Sequence, residues 1–338
     1  MKPSASLKAY NTFGIEHSCL FLHEVRDKAT LVSTCLELYA QDLPVLILGG
    51  GSNIVLVDDY QGHVVKVMTK GIRCEEDDDF FYLNVEAGEN WHELVTFCVR
   101  EGMGGLENLA LIPGTVGAAP IQNIGAYGVE FCDICHWVEY LDLASGKLKR
   151  LSTAECEFAY RESIFKQALK GTAVITAVGI KLAKQWQPIL SYGPLHAIAQ
   201  VNLAPKHIFE YVCQLRREKL PDPSVLGNAG SFFKNPIVSV STFEGLQARY
   251  PDIVAFEMDH QQMKLAAAWL IDKAGLKGMR CSDASVHEKQ ALVLVNHGEA
   301  TGHDVCQLAE LIIERIMQLF GVQLEAEPRL IGAMGEIN

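Results

Sequence analysis

A serine inside a glycine-rich decapeptide is the residue of this chain with the clearest chemical potential. Ser231 lies in segment 227–236, directly after Gly230 and directly before two phenylalanines. The segment is not Gly-x-Ser-x-Gly and no helix with a histidine base follows at once, which argues against a hydrolase nucleophile. A hydroxyl held in a dry, polar pocket can instead donate a proton. Taken alone, the segment is more typical of a glycine-rich turn that enters a strand, with the hydroxyl bound to the backbone.

Two loops rich in small residues could hold a cofactor. Segment 49–53, Gly-Gly-Gly-Ser-Asn, follows a buried strand, and its glycines allow backbone N–H groups to turn toward an anion. It has neither the spacing of a Rossmann fingerprint nor the Lys-Ser/Thr of a P-loop. The segment can therefore be interpreted either as a phosphate site or as a plain turn. Segment 111–128 is too long for a simple connection and too apolar for disorder. Its small residues favour a cradle for a large flat cofactor, with Gln122 and Asn123 reading polar edges.

Charged and metal-binding candidates are less specific. Arg161 in segment 160–163 could bind a carboxylate through two hydrogen bonds, although alone it is more typical of a surface ion pair. Segment 324–329 is a similar near-terminal run with two acids and an arginine. The pair Cys132 and Cys135 forms the one CxxC, with no second pair at zinc spacing, and the histidines show no clustered ligand spacing. No metal site is therefore predicted.

Composition limits the class of protein. The chain has 338 residues, 49% apolar and 21% charged, which is typical of a globular protein of two or three domains. The formal net charge of −12 argues against nucleic acid as a partner, so an anionic ligand would need a local cationic pocket. Scattered cysteines and an N-terminus without an apolar signal segment predict a cytosolic protein with reduced thiols. Apolar runs shorter than about 18 residues predict no membrane span.

The spacing of apolar residues predicts a mixed α+β organisation. Helices are predicted at 28–39, 91–101, 207–219, 264–274 and 304–320. Strands are predicted at 45–48, 54–57, 63–67, 81–87, 136–143, 148–151, 174–183 and 291–296, with 322–331 extended. Segment 241–244 is predicted to form the capping box of a further helix, and Asp304 to cap the last one. A proline-rich break at 205–223 predicts a domain boundary.

The motifs taken in order resemble the UDP-N-acetylenolpyruvoylglucosamine reductases, the MurB family of flavoenzymes in bacterial cell-wall synthesis. The ordered set is Gly-Gly-Gly-Ser-Asn, Ile-Pro-Gly-Thr-Val-Gly-Ala, Gln-Asn-Ile-Gly-Ala-Tyr-Gly, Tyr-Arg-Glu-Ser, Gly-Asn-Ala-Gly-Ser-Phe-Phe-Lys-Asn-Pro and a terminal Glu-x-Arg. Each motif alone is unspecific, but the ordered combination is highly specific and covers nearly the whole chain. Segment 191–193, Ser-Tyr-Gly, matches the longer family type with a substrate-covering tyrosine loop.

The resemblance implies an α+β fold, with a two-lobed FAD-binding module of the vanillyl-alcohol-oxidase (PCMH) type and a C-terminal α+β substrate-binding domain. The implied domains are a first FAD-binding lobe at 1–68 with the tail 331–338 packing back, a second lobe at 69–218, and a substrate-binding domain at 219–330. FAD would be held non-covalently, and NADPH would supply the hydride. The residues expected to bind FAD are Gly49, Gly50, Gly51, Ser52, Asn53, Pro113, Gly114, Gly117, Ala118, Gln122, Asn123, Gly125 and Ala126.

The implied reaction is reduction of the enolpyruvyl group of UDP-N-acetyl-3-O-(1-carboxyvinyl)-glucosamine to UDP-N-acetylmuramate. Hydride would pass from flavin N5 to the vinyl group, and Ser231 would protonate the α-carbon. Arg161 and Glu327 would stabilise charge at the substrate carboxylate, with Glu327 protonated or acting through a water. The residues expected to bind the UDP-sugar are Tyr127, Tyr192, Lys219, Lys234, Asn235 and Gln290. This substrate is the only expected partner, with no membrane and no nucleic acid, and the protein is expected to be a monomer.

Two other functions compete with this one. Another enzyme on the same flavin fold, such as an alcohol or sugar oxidase, would lack the combination of Ser231, Arg161 and Glu327. A non-catalytic flavin- or nucleotide-binding protein would carry FAD without oxidising NADPH when the enolpyruvyl substrate is added. Fold alone excludes neither of them.

Overall fold

The computed structural model describes residues 2–198, 201–258 and 261–337. The chain divides into two compact units, each assembled from separate stretches of sequence. The first unit consists of Met1–Ala5, Cys19–Gly50 and Gly62–Glu218, and the second of Ser6–Ser18, Gly51–Gln61 and Lys219–Asn338. Two short N-terminal stretches thus join the C-terminal part of the chain. The division of 1–218 into two lobes stays a prediction.

The regular elements of the described residues are strands, α-helices and short 3-10 helices. The strands are β1 (Lys2–Ser6), β2 (Ser18–Val25), β3 (Val45–Leu48), β4 (Ile54–Leu56), β5 (Tyr60–Val67), β6 (Ile72–Glu76), β7 (Phe80–Glu86), β8 (Gly125–Ala126), β9 (Val129–Glu130), β10 (Cys135–Asp142), β11 (Lys147–Ser152), β12 (Ala173–Ala183), β13 (Gly227–Ser231), β14 (Ile237–Ser239), β15 (Ala255–Met258), β16 (Gln262–Leu265), β17 (Arg280–Cys281), β18 (Ala284–Val286), β19 (Val293–Asn296), β20 (Arg329–Gly332) and β21 (Gly335–Ile337). The α-helices are α1 (Lys28–Ala40), α2 (Trp91–Arg100), α3 (Pro205–Lys219), α4 (Val240–Arg249), α5 (Ala267–Lys273) and α6 (Gly302–Phe320). The 3-10 helices are Lys8–Tyr10, Glu107–Leu109, Val116–Ala118, Phe131–Asp133, Ala154–Cys156, Ile164–Lys166 and Gly193–Ala197.

The first unit is built on two sheets and a small hairpin. Their strand orders are β1-β2-β5-β3 and β11-β10-β12-β7-β6, and β8 pairs with β9 in the hairpin. Side-chain caps start α1 and α2, because Asp27 accepts from the Thr30 N–H at 2.9 Å and Asn90 accepts from the Glu93 N–H at 3.0 Å. One apolar face of α2, which includes Trp91, is buried in the core of this unit. The long loop between α2 and β10, where several predicted site residues lie, is thereby held against a packed core.

The second unit contains three small sheets and the longest helix. The strand orders are β13-β19-β18-β17, β14-β16-β15 and β21-β20-β4, with β20 parallel to β4. Helix α6 buries one apolar face and ends at Gly321, whose φ of 68° is the left-handed C-cap conformation. Gly302 at its start cannot be larger, because an added Cβ would collide with the Leu56 carbonyl oxygen. No helix in the described part of the chain has the length and apolar character needed to cross a bilayer.

Most predicted elements are present with ends shifted by a few residues, but three predictions need correction. Residues 264–274 do not form one helix, because Gln262–Leu265 pairs with β14 and β15 and the helix begins only at Ala267. The cap of α4 is Ser239, whose hydroxyl accepts from the Thr242 N–H at 3.1 Å, and not a box that starts at position 241. Asp304 is the third residue of a capping box whose N-cap is Thr301. In each case pairing or capping geometry overrode the local pattern.

Candidate active site

In the second unit, the serine segment and the C-terminal acidic segment run side by side. The Glu327 N–H donates to the Phe232 carbonyl at 2.8 Å, and Phe233 and Ala326 form an antiparallel bridge. On the other side, Ser231 is paired with Val293 of β19. Two predicted catalytic residues, Ser231 and Glu327, are therefore brought together by backbone hydrogen bonds between segments almost a hundred positions apart.

A β-bulge orients the serine. The register between β13 and β19 shifts between Asn228 and Ser231, and Gly230 has a φ of 73°. The buried Asn228 side chain accepts from the Gly230 N–H at 2.9 Å and so stabilises the bulge. Ser231 is exposed, whereas Phe232 and Phe233 pack edge to face in the core with ring centroids 5.2 Å apart. The phenylalanines therefore anchor the strand in the interior of the second unit.

Part of the predicted FAD-binding loop lies beside the same pair. The Asn53 side chain donates to the Glu327 carbonyl at 3.3 Å, and the Asn53 carbonyl accepts from the Arg329 N–H at 3.0 Å. Gly51 has a φ of 65°, and an added Cβ there would collide with a backbone carbonyl. Thr12 connects this loop to the serine strand, because its N–H donates to the Gly51 carbonyl and its hydroxyl donates to the Asn228 carbonyl at 2.7 Å. No sequence pattern had assigned a role to Thr12.

The predicted UDP-sugar ligands of the second unit have different surroundings. Lys234 forms an ion pair with Glu325 at 3.0 Å, so its charge is already partly balanced. The Asn235 side-chain oxygen accepts from the Ala267 N–H at 3.0 Å, at the start of α5. Lys219 is exposed at the end of α3, and Gln290 lies in the connection between β18 and β19. Their contacts with substrate stay predictions.

In the first unit, the two glycine loops touch through their backbones. An ideal Cβ added to Gly50 would lie 2.7 Å from the Gly114 Cα, and one added to Gly49 would lie 2.5 Å from the Thr115 hydroxyl oxygen. Such approach is possible only without side chains, and it brings two rows of backbone groups together. Close backbone approach of this kind is compatible with the predicted phosphate site, which stays a prediction.

A lysine that sequence analysis missed lies behind the first of these loops. The Lys66 ammonium on β5 donates to the Gly49 carbonyl. Burial lowers its pKa, opposed by the Glu24 charge. A half-buried cation beside a glycine loop fits an anionic cofactor group, so the residues present fit FAD. The available signal was a lysine between two apolar residues near the end of β5.

The rest of the second cofactor loop is held mainly by its own backbone. Gly117 donates to the Ala87 carbonyl at 2.9 Å, and an added Cβ would lie 2.6 Å from the Ala87 Cβ. Asn123 is fully buried and donates to Glu130 at 2.8 Å and to the Ala159 carbonyl at 3.1 Å. These hydrogen bonds from a buried side chain stabilise the conformation of the loop. The predicted FAD contacts here, at Pro113, Gly114, Gly117, Ala118, Gln122, Asn123, Gly125 and Ala126, stay predictions.

Arg161 is placed against the end of this loop. Its Nη2 atom donates to the Gly125 carbonyl at 3.1 Å, and an added Cβ on Gly125 would lie 3.3 Å from its Nη1 atom. Arg161 has a φ of 56°, an uncommon conformation for a residue with a side chain, and its own carbonyl accepts from Lys166 at 2.9 Å. The guanidinium is therefore held next to the predicted cofactor loop. It belongs to the first unit, whereas Ser231 and Glu327 belong to the second.

Tyr127 and Tyr192 meet within the first unit. Their rings pack edge to face with centroids 5.7 Å apart, and Tyr192 is 44% exposed. Tyr127 and Gly128 have φ values of 51° and 83°, so both central residues of the β8–β9 turn have the positive φ of a type I′ turn. The two predicted substrate-covering residues are thus neighbours.

An arginine on α3 is a further residue that sequence analysis missed. The Arg216 Nε atom is buried and has no hydrogen-bond partner among the described residues. Burial lowers its pKa, and only Tyr127 and Cys213 oppose that shift electrostatically. A partly buried guanidinium whose Nε atom has no partner among the described residues can bind an anion. No pattern in the sequence distinguishes it from Arg217 beside it, which is exposed.

The cysteine pair shows no sign of reactivity. Burial raises the pKa of the Cys135 thiol to about 12, so it stays protonated at neutral pH. Within the ranges that the structure describes, no three His, Cys, Asp or Glu side chains are grouped as metal ligands.

Two family models match the chain. One, described as the C-terminal domain of UDP-N-acetylenolpyruvoylglucosamine reductase, matches residues 222–331. The other, described as an FAD binding domain, matches residues 20–152.

Relatives and a solved structure cover nearly the whole chain. UDP-N-acetylenolpyruvoylglucosamine reductase from Shewanella sp. (strain ANA-3) is 64% identical over 98% of both chains. The enzyme of that name from Vibrio cholerae serotype O1 (strain ATCC 39541 / Classical Ogawa 395 / O395) is 51% identical over 99% of this chain and 96% of its own length. The crystal structure of the Thermus caldophilus UDP-N-acetylenolpyruvylglucosamine reductase (MurB) has a TM-score of 0.66 at 25% identity and covers 96% of this chain and 97% of that one. These matches confirm the predicted α+β fold with an FAD-binding module and a separate C-terminal domain.

Proposed function

The chain belongs to the family of UDP-N-acetylenolpyruvoylglucosamine reductases, and on that premise we propose that it reduces the enolpyruvyl group of UDP-N-acetyl-3-O-(1-carboxyvinyl)-glucosamine to UDP-N-acetylmuramate. It is an FAD-containing oxidoreductase of peptidoglycan precursor synthesis, and NADPH is the proposed hydride donor. The structural observation that carries the proposal is the hydrogen bond from the Glu327 N–H to the carbonyl of Phe232, which follows Ser231.

The cofactor is FAD, and the glycine loops are the proposed place for it. Bound FAD supplies hydride transfer between NADPH and the vinyl carbon of the substrate. Gly49, Gly50 and Gly114 admit a ligand close to the backbone because they have no side chains. Lys66 would place a positive charge behind the same loop, which offsets the negative charge of the pyrophosphate.

Ser231 is the proposed proton donor to the substrate α-carbon. A serine hydroxyl is a weak acid in water, so it can act only on a strongly basic carbon centre and from a fixed position. The bulge at Gly230 and the pairing with Val293 supply that fixed position. General acid catalysis of this kind contributes roughly 10²–10⁴-fold to a rate.

Arg161 and Glu327 are the proposed partners of the substrate carboxylate, where charge develops during the reaction. Arg161 can do so because its guanidinium is already oriented by the Gly125 carbonyl. An ionised Glu327 would repel a developing anion, so this role requires Glu327 to carry a proton or to act through a water molecule.

The UDP-sugar is the proposed ligand of six side chains. Tyr127 and Tyr192 would cover it, and Lys219, Lys234, Asn235 and Gln290 would bind its polar groups. Because the chain has a formal net charge of −12, these local cations matter more than the overall field. Lys234 would have to share its ammonium between Glu325 and the substrate. We add Arg216 to this set as a ligand of a negatively charged group.

One assay tests the function. Purified protein should show a flavin absorbance band and should oxidise NADPH only when the enolpyruvyl UDP-sugar is present. Bound FAD without substrate-dependent NADPH oxidation would favour a non-catalytic flavoprotein. Oxygen consumption with an alcohol or sugar would favour an oxidase. Cytosolic location and a monomeric state stay predictions.

A further inference from the structure

The geometry points to Asn108 as a positioning residue that connects the two tyrosine-bearing segments, a role that rests on the proposed contact of Tyr127 and Tyr192 with substrate. Asn108 lies in the 3-10 helix Glu107–Leu109 and is 1% exposed. Its Nδ2 atom donates to the Tyr127 carbonyl at 2.8 Å and to the Ile189 carbonyl at 2.9 Å. A side-chain amide has two N–H donors, and here each binds a different loop.

The first of these bonds stabilises an otherwise unfavourable turn. Tyr127 has a φ of 51°. This conformation is energetically unfavourable for a residue with a side chain, and it persists only when the surrounding structure stabilises it. The bond from Asn108 acts on the carbonyl of Tyr127 itself. A Cβ added to the next residue, Gly128, would lie 3.5 Å from both the Ile189 Cγ2 and the Tyr192 Cβ. The turn and the second segment are therefore in contact as well as bound to one amide.

The neighbouring residue holds the same segment at a second point. Glu107 is 2% exposed and accepts from the Trp186 indole N–H at 2.7 Å and from the Gly105 N–H at 2.6 Å. Trp186 lies directly over Gly104, where an added Cβ would collide with the indole. Residues 186 and 189 are thus bound by two consecutive side chains, and the half-exposed Tyr192 extends from this anchored base.

This arrangement affects the conformational entropy that is lost when Tyr127 and Tyr192 cover a ligand. A segment that is already anchored loses less conformational freedom when a ligand orders it, so affinity is higher. Without Asn108, the Tyr127 turn and residue 189 would lose their common hydrogen-bond donor, so the ligand would have to supply more of the ordering. The expected effect falls on binding of the UDP-sugar and leaves reduction of the bound flavin by NADPH unchanged.

The test replaces Asn108 by leucine, which has a similar size and no donor. We expect the Kd of the enolpyruvyl UDP-sugar, measured by titration calorimetry, to rise roughly tenfold because two buried hydrogen bonds are lost. The rate of flavin reduction by NADPH should not change. Thr153→Val is the matched control, because it also removes a side-chain donor to a backbone carbonyl, that of Cys135 at 2.5 Å, and should not change the Kd. Asn108→Ser, which is too short to reach either carbonyl, replaces the leucine variant if that variant does not fold.

A double-mutant cycle with Tyr192→Ala separates positioning from general destabilisation. If Asn108 acts through Tyr192, the Kd of the double variant should be about equal to the higher of the two single-variant Kd values. Additive losses, or an unchanged Kd in Asn108→Leu, would overturn the proposal. Absence of substrate-dependent NADPH oxidation in the unaltered protein would instead refute the proposed function, so the two failures are distinguishable.

Discussion

The N–H of Glu327 donates a 2.8 Å hydrogen bond to the carbonyl oxygen of Phe232, one residue beyond Ser231. The backbone therefore helps to set the position of the glutamate relative to the serine. A substitution of one of these side chains should leave the other in place. An activity loss in a single variant would then reflect the missing chemical group and not a rearranged site.

Replacement of Ser231 by alanine should abolish turnover while NADPH still bleaches the flavin. The physical reason is that the hydroxyl is needed only when the substrate carbon takes up a proton, and the expected loss in kcat is roughly 10²–10⁴-fold. Stopped-flow measurement of flavin reduction together with steady-state turnover checks it. A variant that also failed to reduce its flavin would refute the assigned role.

Two further variants act as controls for that result. Ser231→Cys should keep part of the activity, because a thiol can also donate a proton. Ser241→Ala changes another exposed serine of the second unit and should leave kcat unaltered.

Replacement of Gly50 by alanine should release FAD. An added Cβ would lie 2.7 Å from the Gly114 Cα, so the two loops would have to move apart. The measurement is the ratio of flavin to protein absorbance after dialysis. Gly245→Ala is the matched control, because that glycine lies inside α4 with nothing within 4 Å of an added Cβ. The control should retain FAD and gain about 0.5–1 kcal/mol in free energy of unfolding. Full retention of FAD by Gly50→Ala would show that these loops do not hold it.

Replacement of Arg216 by methionine should increase the stability of the protein and weaken its binding of the UDP-sugar. Burial of the guanidinium without a hydrogen bond to Nε is unfavourable, so its removal should raise the free energy of unfolding of the ligand-free protein. The same change should weaken binding of the UDP-sugar, because the proposed anion partner is lost. Urea unfolding and titration calorimetry measure the two effects. The exposed Arg217→Met serves as control, and unchanged affinity in Arg216→Met would remove this arginine from the proposed site.

Stability should decline as pH falls through about 6.5, the ordinary pKa of histidine. The His23 Nε2 and His63 Nδ1 atoms lie 2.8 Å apart. Burial lowers both pKa values, the positive charge of His63 lowers that of His23 further, and Glu37 opposes the shift at His23. The unfolded chain therefore binds protons more readily than the folded chain, so acid favours unfolding until the folded-state pKa values are passed.

Urea unfolding at several pH values between 5 and 8 checks this dependence. The double variant His23→Gln, His63→Gln should show a shallower decline than the unaltered protein. An identical slope in the double variant would show that other groups control the acid response.

The sequence by itself determined the local features: most of the helices, several of the longer strands, the glycines of both cofactor loops, and the ordered motifs that indicated the family. Apolar spacing and turn chemistry act over a few residues, so they can be read without a structure. The tertiary structure alone decided that Asn53 and Glu327 are neighbours, that Lys66 lies behind Gly49, and that Asn108 binds both tyrosine segments. These contacts join residues between 17 and 274 positions apart. They exist because buried donors and acceptors must find partners wherever the packed core brings them, and no local pattern records that pairing.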